Sequence, residues 1–126
     1  MKENNIESIG TVRLLDNVVQ YNNSGNNTWK PFVNSISNET TGFNLQLYHI
    51  GKYIRVNSAS DVEVNIPSLG FPIGSSIVLE QTGEGTITIT ASSDTLNGKV
   101  LSNGQYSVLQ IIKVENNVWT VIGGVE

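Results

Sequence analysis

The stretch TGEGTITITA, from Thr82 to Ala91, joins a glycine-flanked bend to a run in which polar and apolar residues alternate. In an extended chain, Ile87 and Ile89 fall on one face and the threonines between them fall on the other. Glycines on both sides of Glu84 are typical of a tight bend between strands. We therefore predict a half-buried strand, joined to the preceding segment SIVLEQ by a β-hairpin at Gly83–Gly85.

The same alternation recurs along the chain, and no long window holds the three-and-four spacing of an amphipathic helix. The segment VEVNI is one example, with its valines and isoleucine on one face. The longer segment YSVLQIIKVE differs, because Leu109 and Ile111 point to one face while Val108 and Ile112 point to the other. Such a strand is covered on both faces, so we expect it at the centre of a sheet or against a neighbouring subunit.

Turn-forming pairs separate these runs. Asn116-Asn117 and Asp16-Asn17 each leave two residues between strands, which predicts two tight hairpins. Asn97-Gly98 and Asn103-Gly104 predict further turns, and Pro31 restricts its strand to a sheet edge or a bulge. Strand and turn signals at short, regular intervals are typical of sandwiches and barrels. The sequence therefore predicts an all-β fold: an antiparallel β-sandwich or barrel-like module preceded by a short N-terminal β-meander.

A polar segment, NSISNETTG, spans residues 34–42 and divides the strand pattern in two. We interpret it as a linker between an N-terminal arm and β-meander, residues 1–33, and a main β-module, residues 43–126. The alternative is a surface loop within one sandwich. A meander this short cannot bury enough apolar surface to be stable alone, so we expect it to pack on the main module or on another chain.

The composition excludes several classes of protein. The chain has 126 residues, a formal net charge of -4 and 14% charged residues, so its surface is largely neutral and polar. Its basic residues are scattered rather than clustered, which argues against a nucleic-acid partner. Cysteine is absent, which excludes disulfides and thiolate chemistry. The sequence has neither a signal-peptide-like start nor a long apolar run, so we expect synthesis in a cytoplasm and no membrane partner.

Two glycine-rich stretches invite comparison with phosphate-binding loops, and neither fits. After Gly83-Glu84-Gly85, Thr88 stands where a dinucleotide fingerprint has its third glycine, and a strand follows in place of a helix. The stretch GFPIGSS, residues 70–76, has too few residues between its glycines for a P-loop and lacks the P-loop lysine. We therefore predict no nucleotide or other cofactor.

Catalytic and metal-binding side chains are sparse. His49 is the single histidine, and no nucleophile or triad partner lies near it in the sequence. Asp61 and Glu63 share one face of a strand, where we interpret them as solvated, because calcium needs about six oxygens and glycoside hydrolysis needs a cleft. Trp29 and Trp119 each end a strand-like segment, where closing a hydrophobic core is the more common role. We predict no catalytic or metal site, and hence no enzyme.

One ordered set of features goes beyond the general β pattern and covers roughly the last three-fifths of the chain. In chain order its members are YIRVN at Tyr53–Asn57, Pro67 after the next strand, FPxGxxI at Phe71–Ile77, QxGxG at Gln81–Gly85, Gln105-Tyr106, and Trp119 shortly before Gly123. In this order they resemble a small β module of structural proteins in tailed-bacteriophage virions, found in tail fibres and other appendages. The N-terminal VVQYNNSGNNTWKPFV is similar to the strand-turn-strand units of such proteins.

The resemblance implies a non-enzymatic building block of the virion, commonly a homotrimer, in which the QxGxG motif is a hairpin and not a ligand loop. Fibre proteins usually carry this module in a much longer chain, so the length of this one favours a capsid-decorating protein, a head fibre or a small adaptor. We predict that it binds copies of itself and other virion proteins. The candidate attachment and interface residues are Ile6, Ile9, Val12, Leu14, Leu109 and Ile111.

An alternative from another class is a host-surface binding module that recognises a glycan. Its candidate stacking residues are Trp29, Tyr53 and Tyr106, because aromatic rings present an apolar face and a polar tip. A glycan-cleaving enzyme is a third alternative. It would need Asp61 and Glu63 in a cleft at a suitable separation.

Overall fold

A computed structural model gives the fold; it describes residues 11–15, 18–22, 30–31 and 35–123, with side chains over residues 35–123. The chain divides into two units, Met1–Val33 and Asn34–Glu126. The described residues form strands, bends and one 3-10 turn at Leu47–His49. The predicted all-β class is therefore confirmed.

The first unit contains a three-stranded antiparallel sheet among its described residues. Its strands are β1 (Thr11–Leu15), β2 (Val18–Asn22) and β3 (Lys30–Pro31), in the order β1-β2-β3. The end of β1 pairs with the start of β2, as a hairpin requires, although Asp16-Asn17 itself lies outside the described residues. Pro31 lies on an edge strand of this sheet, as expected of a residue without a backbone N–H.

The second unit contains nine strands among its described residues. They are β4 (Ser35–Glu39), β5 (Phe43–Asn44), β6 (Lys52–Val56), β7 (Val62–Ile66), β8 (Ser76–Gln81), β9 (Ile87–Ala91), β10 (Thr95–Gly98), β11 (Val108–Glu115) and β12 (Val118–Gly123). A six-stranded sheet has the order β10-β12-β11-β8-β6-β4, and a three-stranded sheet has the order β9-β7-β5.

Parallel stacking is the main feature of this unit. β4, β6 and β8 lie side by side and parallel in the larger sheet, and β5, β7 and β9 do the same in the smaller one. The chain alternates between the two sheets, and each pair of strands adds one rung to a solenoid-like stack. We call β4–β5 the first rung, β6–β7 the second and β8–β9 the third. The predicted antiparallel sandwich or barrel is therefore wrong. The sequence could not distinguish the two arrangements, because side chains alternate in the same way in parallel and antiparallel strands.

The glycine bend at residues 82–86 carries the chain from β8 in one sheet to β9 in the other. It lies directly on the bend at residues 57–61 of the second rung, where the Gly85 N–H donates to the Ser58 carbonyl oxygen at 2.8 Å. A Cβ atom at Gly83 or Gly85 would overlap the backbone of that lower bend. The predicted hairpin is wrong here, since β8 and β9 belong to different sheets. The glycines serve instead the close approach of two backbones.

Antiparallel strands close the stack beyond the third rung. β11 pairs antiparallel with β8, β12 pairs antiparallel with β11, and β10 lies parallel to β12. The predicted hairpin at Asn116-Asn117 joins β11 to β12, and Asn117 has a φ of 60°, a left-handed conformation that asparagine tolerates. A turn follows Gly104, as predicted. Asn97-Gly98 belongs to β10, so the turn predicted there is wrong; both residues pair with β12, and Gly98 ends the strand with a φ of 99°.

The segment predicted as a linker, residues 34–42, is largely part of the stack. β4 pairs with β6 along its whole length, from Ser35 opposite Lys52 to Glu39 opposite Val56. Its residues are exposed or half-buried throughout. An edge strand without a buried face needs no apolar alternation, which is why the sequence SISNE did not predict a strand.

The hydrophobic core of the second unit draws on both of its sheets. Leu109, Ile111 and Trp119 have no exposed surface, and the Trp119 ring packs edge-on against Phe71 with the ring centroids 5.3 Å apart. The other buried apolar residues are Leu45, Ile54, Val56, Val64, Ile66, Ile77, Leu79, Ile87, Ile89 and Val121. The apolar faces predicted for VEVNI and TITITA therefore do face the core.

Candidate functional site

Gln81 and Ser102 form a buried polar pair at the glycine bend. The Ser102 hydroxyl donates to the Gln81 side-chain oxygen at 2.5 Å, and the Gln81 side-chain amide donates to the Gly83 carbonyl oxygen at 3.1 Å. The Ile87 N–H donates to the Ser102 hydroxyl at 2.7 Å. The QxGxG motif thus holds the bend of its own rung in place. Ser102 was not predicted, because one serine in a serine-rich sequence carries no spacing signal.

Asp61 and Glu63 bond to the third rung. Asp61 Oδ1 accepts the Thr86 backbone N–H at 2.9 Å, and Glu63 Oε2 accepts the Thr90 hydroxyl at 2.6 Å. Both acids are exposed. They link neighbouring rungs on a solvated face, which agrees with the interpretation of these residues from the sequence.

His49 ends the 3-10 turn of the first rung and is only 5% exposed. Its Nδ1 accepts the Gln46 backbone N–H at 2.8 Å, and its ring lies 5.4 Å from the Phe43 ring. Burial, followed by the positive charge of Lys52, lowers the pKa of His49, and the negative charge of Glu39 opposes this shift. The imidazole therefore serves as a neutral acceptor that caps the turn.

The six-stranded sheet has one face on the core and one face away from it. Side chains alternate along each strand, so the neighbours of the buried residues point outward. We call the outward-pointing side chains of β4, β6, β8, β11 and β12 the outer face. Its apolar members are Ile36, Tyr53, Val78, Val108, Ile112, Val118 and Ile122.

The apolar members of the outer face lie in register across the strands. Ile36 is opposite Tyr53, and Tyr53 is opposite Val78. Ile36 is 56% exposed, Ile122 is 50% exposed and Val108 is 38% exposed. The outer face therefore presents apolar surface to solvent in the single chain, with no partner from the described residues.

The interface prediction for Leu109 and Ile111 is wrong. Both side chains are buried in the core of their own chain and cannot contact a partner without unfolding. The sequence pattern did place Val108 and Ile112 on the opposite side of the same strand, and these two belong to the outer face. The prediction that β11 is apolar on both faces is confirmed, but the face that points away from the core carries Val108 and Ile112 and not Leu109 and Ile111.

The attachment residues predicted in the first unit stay predictions. Ile6 and Ile9 lie outside the described residues. Val12 and Leu14 belong to β1, whose backbone alone is described.

The three aromatic residues predicted to stack on sugars differ in their surroundings. Tyr106 is 63% exposed and has a φ of 70° at a turn. Tyr53 is half-buried, and its hydroxyl donates to Glu80 Oε1 at 3.0 Å. Burial, followed by the hydrogen bond and negative charge of Glu80, raises the pKa of Tyr53. Trp29 lies outside the described residues. Of the two described residues, Tyr106 combines exposure with freedom from a neighbouring ion pair.

A shallow cavity of about 140 Å³ lies beside the Phe71 end of the core. Its lining residues are Pro67, Ser68, Leu69, Gly70, Phe71, Asp94, Lys113 and Asn117. Lys113 Nζ donates to the Phe71 carbonyl oxygen at 2.8 Å, and Trp119 Nε1 donates to Asp94 Oδ2 at 2.9 Å. Both charged groups therefore bond to the chain itself. Sequence reasoning did not single out either, because each is an isolated charge without a motif.

Two further observations concern the described part of the chain. Among its side chains, no group of three or more histidine, aspartate or glutamate residues is arranged to hold a metal ion. It also contains no helix with the length and apolar character needed to cross a membrane.

No protein-family model matches this chain, and no curated protein matches it. The fold and the candidate site place it in a structural class: a small all-β module with solenoid-like stacking, whose polar bends bond within the chain. Its most distinctive surfaces are the edge strand β4 and the outer face.

Proposed function

We propose that this protein is a non-enzymatic structural subunit of a tailed-bacteriophage virion, acting as a capsid-decorating protein, a head fibre or a small adaptor. The observation that carries the proposal is the difference between the two ends of the stack. The first rung leaves the five-residue edge strand β4, whereas the far edge of the same sheet is the four-residue strand β10, which lies beyond two antiparallel strands. A module whose edge strand β4 has a bonded neighbour on one side only, among the described residues, is suited to being built into a larger assembly.

β4 is suited to pairing with another strand. Within the described residues it bonds to β6 on one side only. Soluble proteins commonly protect an edge strand with lysine, proline or a bulge. The sequence SISNE contains neither lysine nor proline, and its register with β6 is continuous. β4 follows the Met1–Val33 unit directly in sequence. The segment proposed to attach the chain to the particle and the strand proposed to pair with another chain are therefore neighbours in the sequence.

The virion setting rests on the resemblance to phage structural modules. In that setting the Met1–Val33 unit attaches the chain to the particle, and other virion proteins are its partners. The second unit associates with copies of itself, as a homotrimer by analogy with the family. The candidate attachment residues are Ile6, Ile9, Val12 and Leu14.

A reconstruction of the virus particle by cryo-electron microscopy tests this proposal. The chain should occupy symmetry-related positions on the capsid, the portal vertex or the tail, with its first unit on the particle surface. Its absence from purified particles, measured by mass spectrometry, would contradict the proposal.

Recognition of a host glycan is a second candidate, which the exposure of Tyr106 favours. The neighbouring Gln105 holds this turn through its side-chain amide, which donates to the Thr82 carbonyl oxygen at 2.9 Å. A glycan array should then show binding that a Tyr106→Ala variant loses. Tyr48→Ala is the matched control, because Tyr48 is 67% exposed but lies on the first rung. No binding by the unsubstituted chain would exclude this candidate.

A further inference from the structure

We propose that the outer face of the six-stranded sheet packs against a second copy of this chain. The inference deepens the proposed function and rests on it, because it assigns the surface through which the structural subunit associates with itself. Its starting point is a row of side chains that crosses the sheet from β4 to β12 and has one polar member: Ile36, Tyr53, Val78, Gln110 and Ile122.

The composition of the outer face is unusual for a surface in water. A sheet with one solvated face normally carries polar residues on that face. Here Ile36 and Ile122 are at least half exposed, and Val108, which is opposite Glu80 in the neighbouring row, is 38% exposed. Exposed apolar side chains gathered on one face of a sheet are typical of contact sites in soluble proteins. A contact across this face would remove all three side chains from water.

The charges of the outer face favour a second copy over a charged partner. Arg55 and Glu80 lie opposite each other near the middle of the face, with Arg55 Nε 3.2 Å from Glu80 Oε1. Tyr53 also donates to Glu80, so both charges are held within the face. The centre of the face is therefore electrically neutral. Because the chain as a whole has a net charge of -4, two copies repel each other least where their facing surfaces are neutral.

The neutral polar residues of the outer face fit the same partner. Gln110, Thr120, Ser76 and Asn38 lie between the apolar side chains. The Gln110 side-chain amide donates to Ser76 Oγ at 3.0 Å. Such groups make hydrogen bonds with the same groups of a second copy without a charge being buried.

The size of the face sets the expected strength of association. The five strands of the outer face, about 4.8 Å apart and with about five residues each at about 3.3 Å per residue, give a flat footprint of about 19 Å by about 17 Å. Stable interfaces bury about 800 Å² of accessible surface on each partner, and the area of this footprint is less than half of that value. We therefore expect association that depends on concentration and is reversible in the micromolar range.

Sedimentation velocity of the full chain, from about 5 µM to about 500 µM, tests the inference. The unsubstituted protein should shift from one copy towards two or three copies as its concentration rises. Ile122→Lys and Val108→Lys should each weaken this association by at least about tenfold, because each places an unpaired charge in the contact. Both positions are solvent-exposed, so circular dichroism should show an unchanged β fold.

Ile73→Lys is the matched control. Ile73 is 58% exposed, but it lies in the turn before β8 and not on the outer face. This variant should associate as the unsubstituted chain does. Association that survives both Ile122→Lys and Val108→Lys, or that Ile73→Lys weakens equally, would overturn the inference by placing the contact elsewhere.

A chain that stays monomeric up to the highest concentration would also overturn the inference, including the case in which the Met1–Val33 unit of the same chain covers the face. That result would leave the proposed function standing if the protein is found on particles. Conversely, concentration-dependent association through this face in a protein absent from particles would support the inference and contradict the virion role. The two experiments therefore fail independently.

Discussion

At Gly85 the backbone of the third rung passes so close to the second rung that no side chain fits between them. The Gly85 N–H bonds to the Ser58 carbonyl oxygen, and a Cβ atom would overlap the backbone of the lower bend. Backbone atoms cannot turn aside as the end of a long side chain can. The identity of this single residue therefore decides whether two rungs stack at hydrogen-bonding distance.

Gly85→Ala should lower the free energy of unfolding by about 1–3 kcal/mol, because the added methyl group forces the two bends apart. Urea unfolding followed by circular dichroism measures this difference. Glu84→Ala is the control, since Glu84 is exposed in the same bend, and it should change the free energy by less than about 0.5 kcal/mol. Equal stability of the Gly85→Ala variant and the unsubstituted chain would contradict the close approach.

His49 gives the fold a dependence on pH. Its Nδ1 must be unprotonated to accept the Gln46 N–H, and burial together with Lys52 lowers its pKa below the ordinary 6.5. The folded state therefore binds fewer protons than the unfolded state as the pH falls through 6.5. The contribution of His49 to the free energy of unfolding is therefore fully present above pH 6.5. It decreases as the pH falls from 6.5 to the pKa of His49 in the folded state.

The free energy of unfolding should accordingly fall between about pH 7.5 and about pH 5.5, before most carboxylates titrate. Denaturant unfolding at several pH values measures this slope. The chain has one histidine, so His49→Gln removes every imidazole and should flatten the slope over that interval. A variant that keeps the full slope would show that another group is responsible.

At the scale of elements, the β11–β12 hairpin closes the stack and depends on one backbone conformation. Asn117 has a φ of 60°, which is costly for β-branched residues and free for glycine. The hairpin places Ile111 opposite Val121, and Leu109 and Trp119 belong to the same core. A strained turn at Asn117 would therefore disturb the packing of both β11 and β12.

Asn117→Val should destabilise the protein by about 1–2 kcal/mol, whereas Asn117→Gly should be neutral or stabilise it by up to about 1 kcal/mol. Thermal unfolding measured by circular dichroism separates the two variants. If valine and glycine had the same effect, the left-handed turn would not be limiting, and the hairpin would have to form by another conformation.

At the scale of the whole molecule, the second unit contains its own core. The buried apolar residues from Leu45 to Val121 all belong to Asn34–Glu126. We therefore expect a chain of residues 34–126 to fold, with a free energy of unfolding within about 1 kcal/mol of the same transition in the full chain. Removing residues 1–33 also removes Trp29, so the fluorescence of Trp119 reports this transition alone. Under the proposed function, the same deletion abolishes incorporation into particles, while a folded fragment that still joins particles would contradict the attachment role.

The sequence predicted the strands well and their arrangement poorly. Alternation identified Ile87 and Ile89 as core residues, since burial on one face of a strand imposes period two. It could not distinguish a hairpin at Gly85 from a step between sheets, because both need a glycine bend. The strand β4 escaped prediction because an exposed edge carries no apolar pattern.

In the candidate site too, the sequence predicted the strands but not which side chains come together. The pattern of β11 identified a strand with two apolar faces, but only the structure shows which face belongs to the core. Side chains that act through distant partners, such as Ser102 with Gln81 and Asp94 with Trp119, have no local signature. Their roles follow from the fold and not from the spacing of residues.

The antiparallel strands beyond the third rung have a consequence for polymerisation. Parallel stacks can continue from chain to chain when both of their terminal edges accept a like strand. Here β4 and β10 are the two edges of the six-stranded sheet, and the two successive antiparallel pairings leave β10 running in the same direction as β4. Pairing of β4 of one copy with β10 of the next is therefore compatible with the strand directions, and the short length of β10, four residues ending in Gly98 at a φ of 99°, limits such head-to-tail growth.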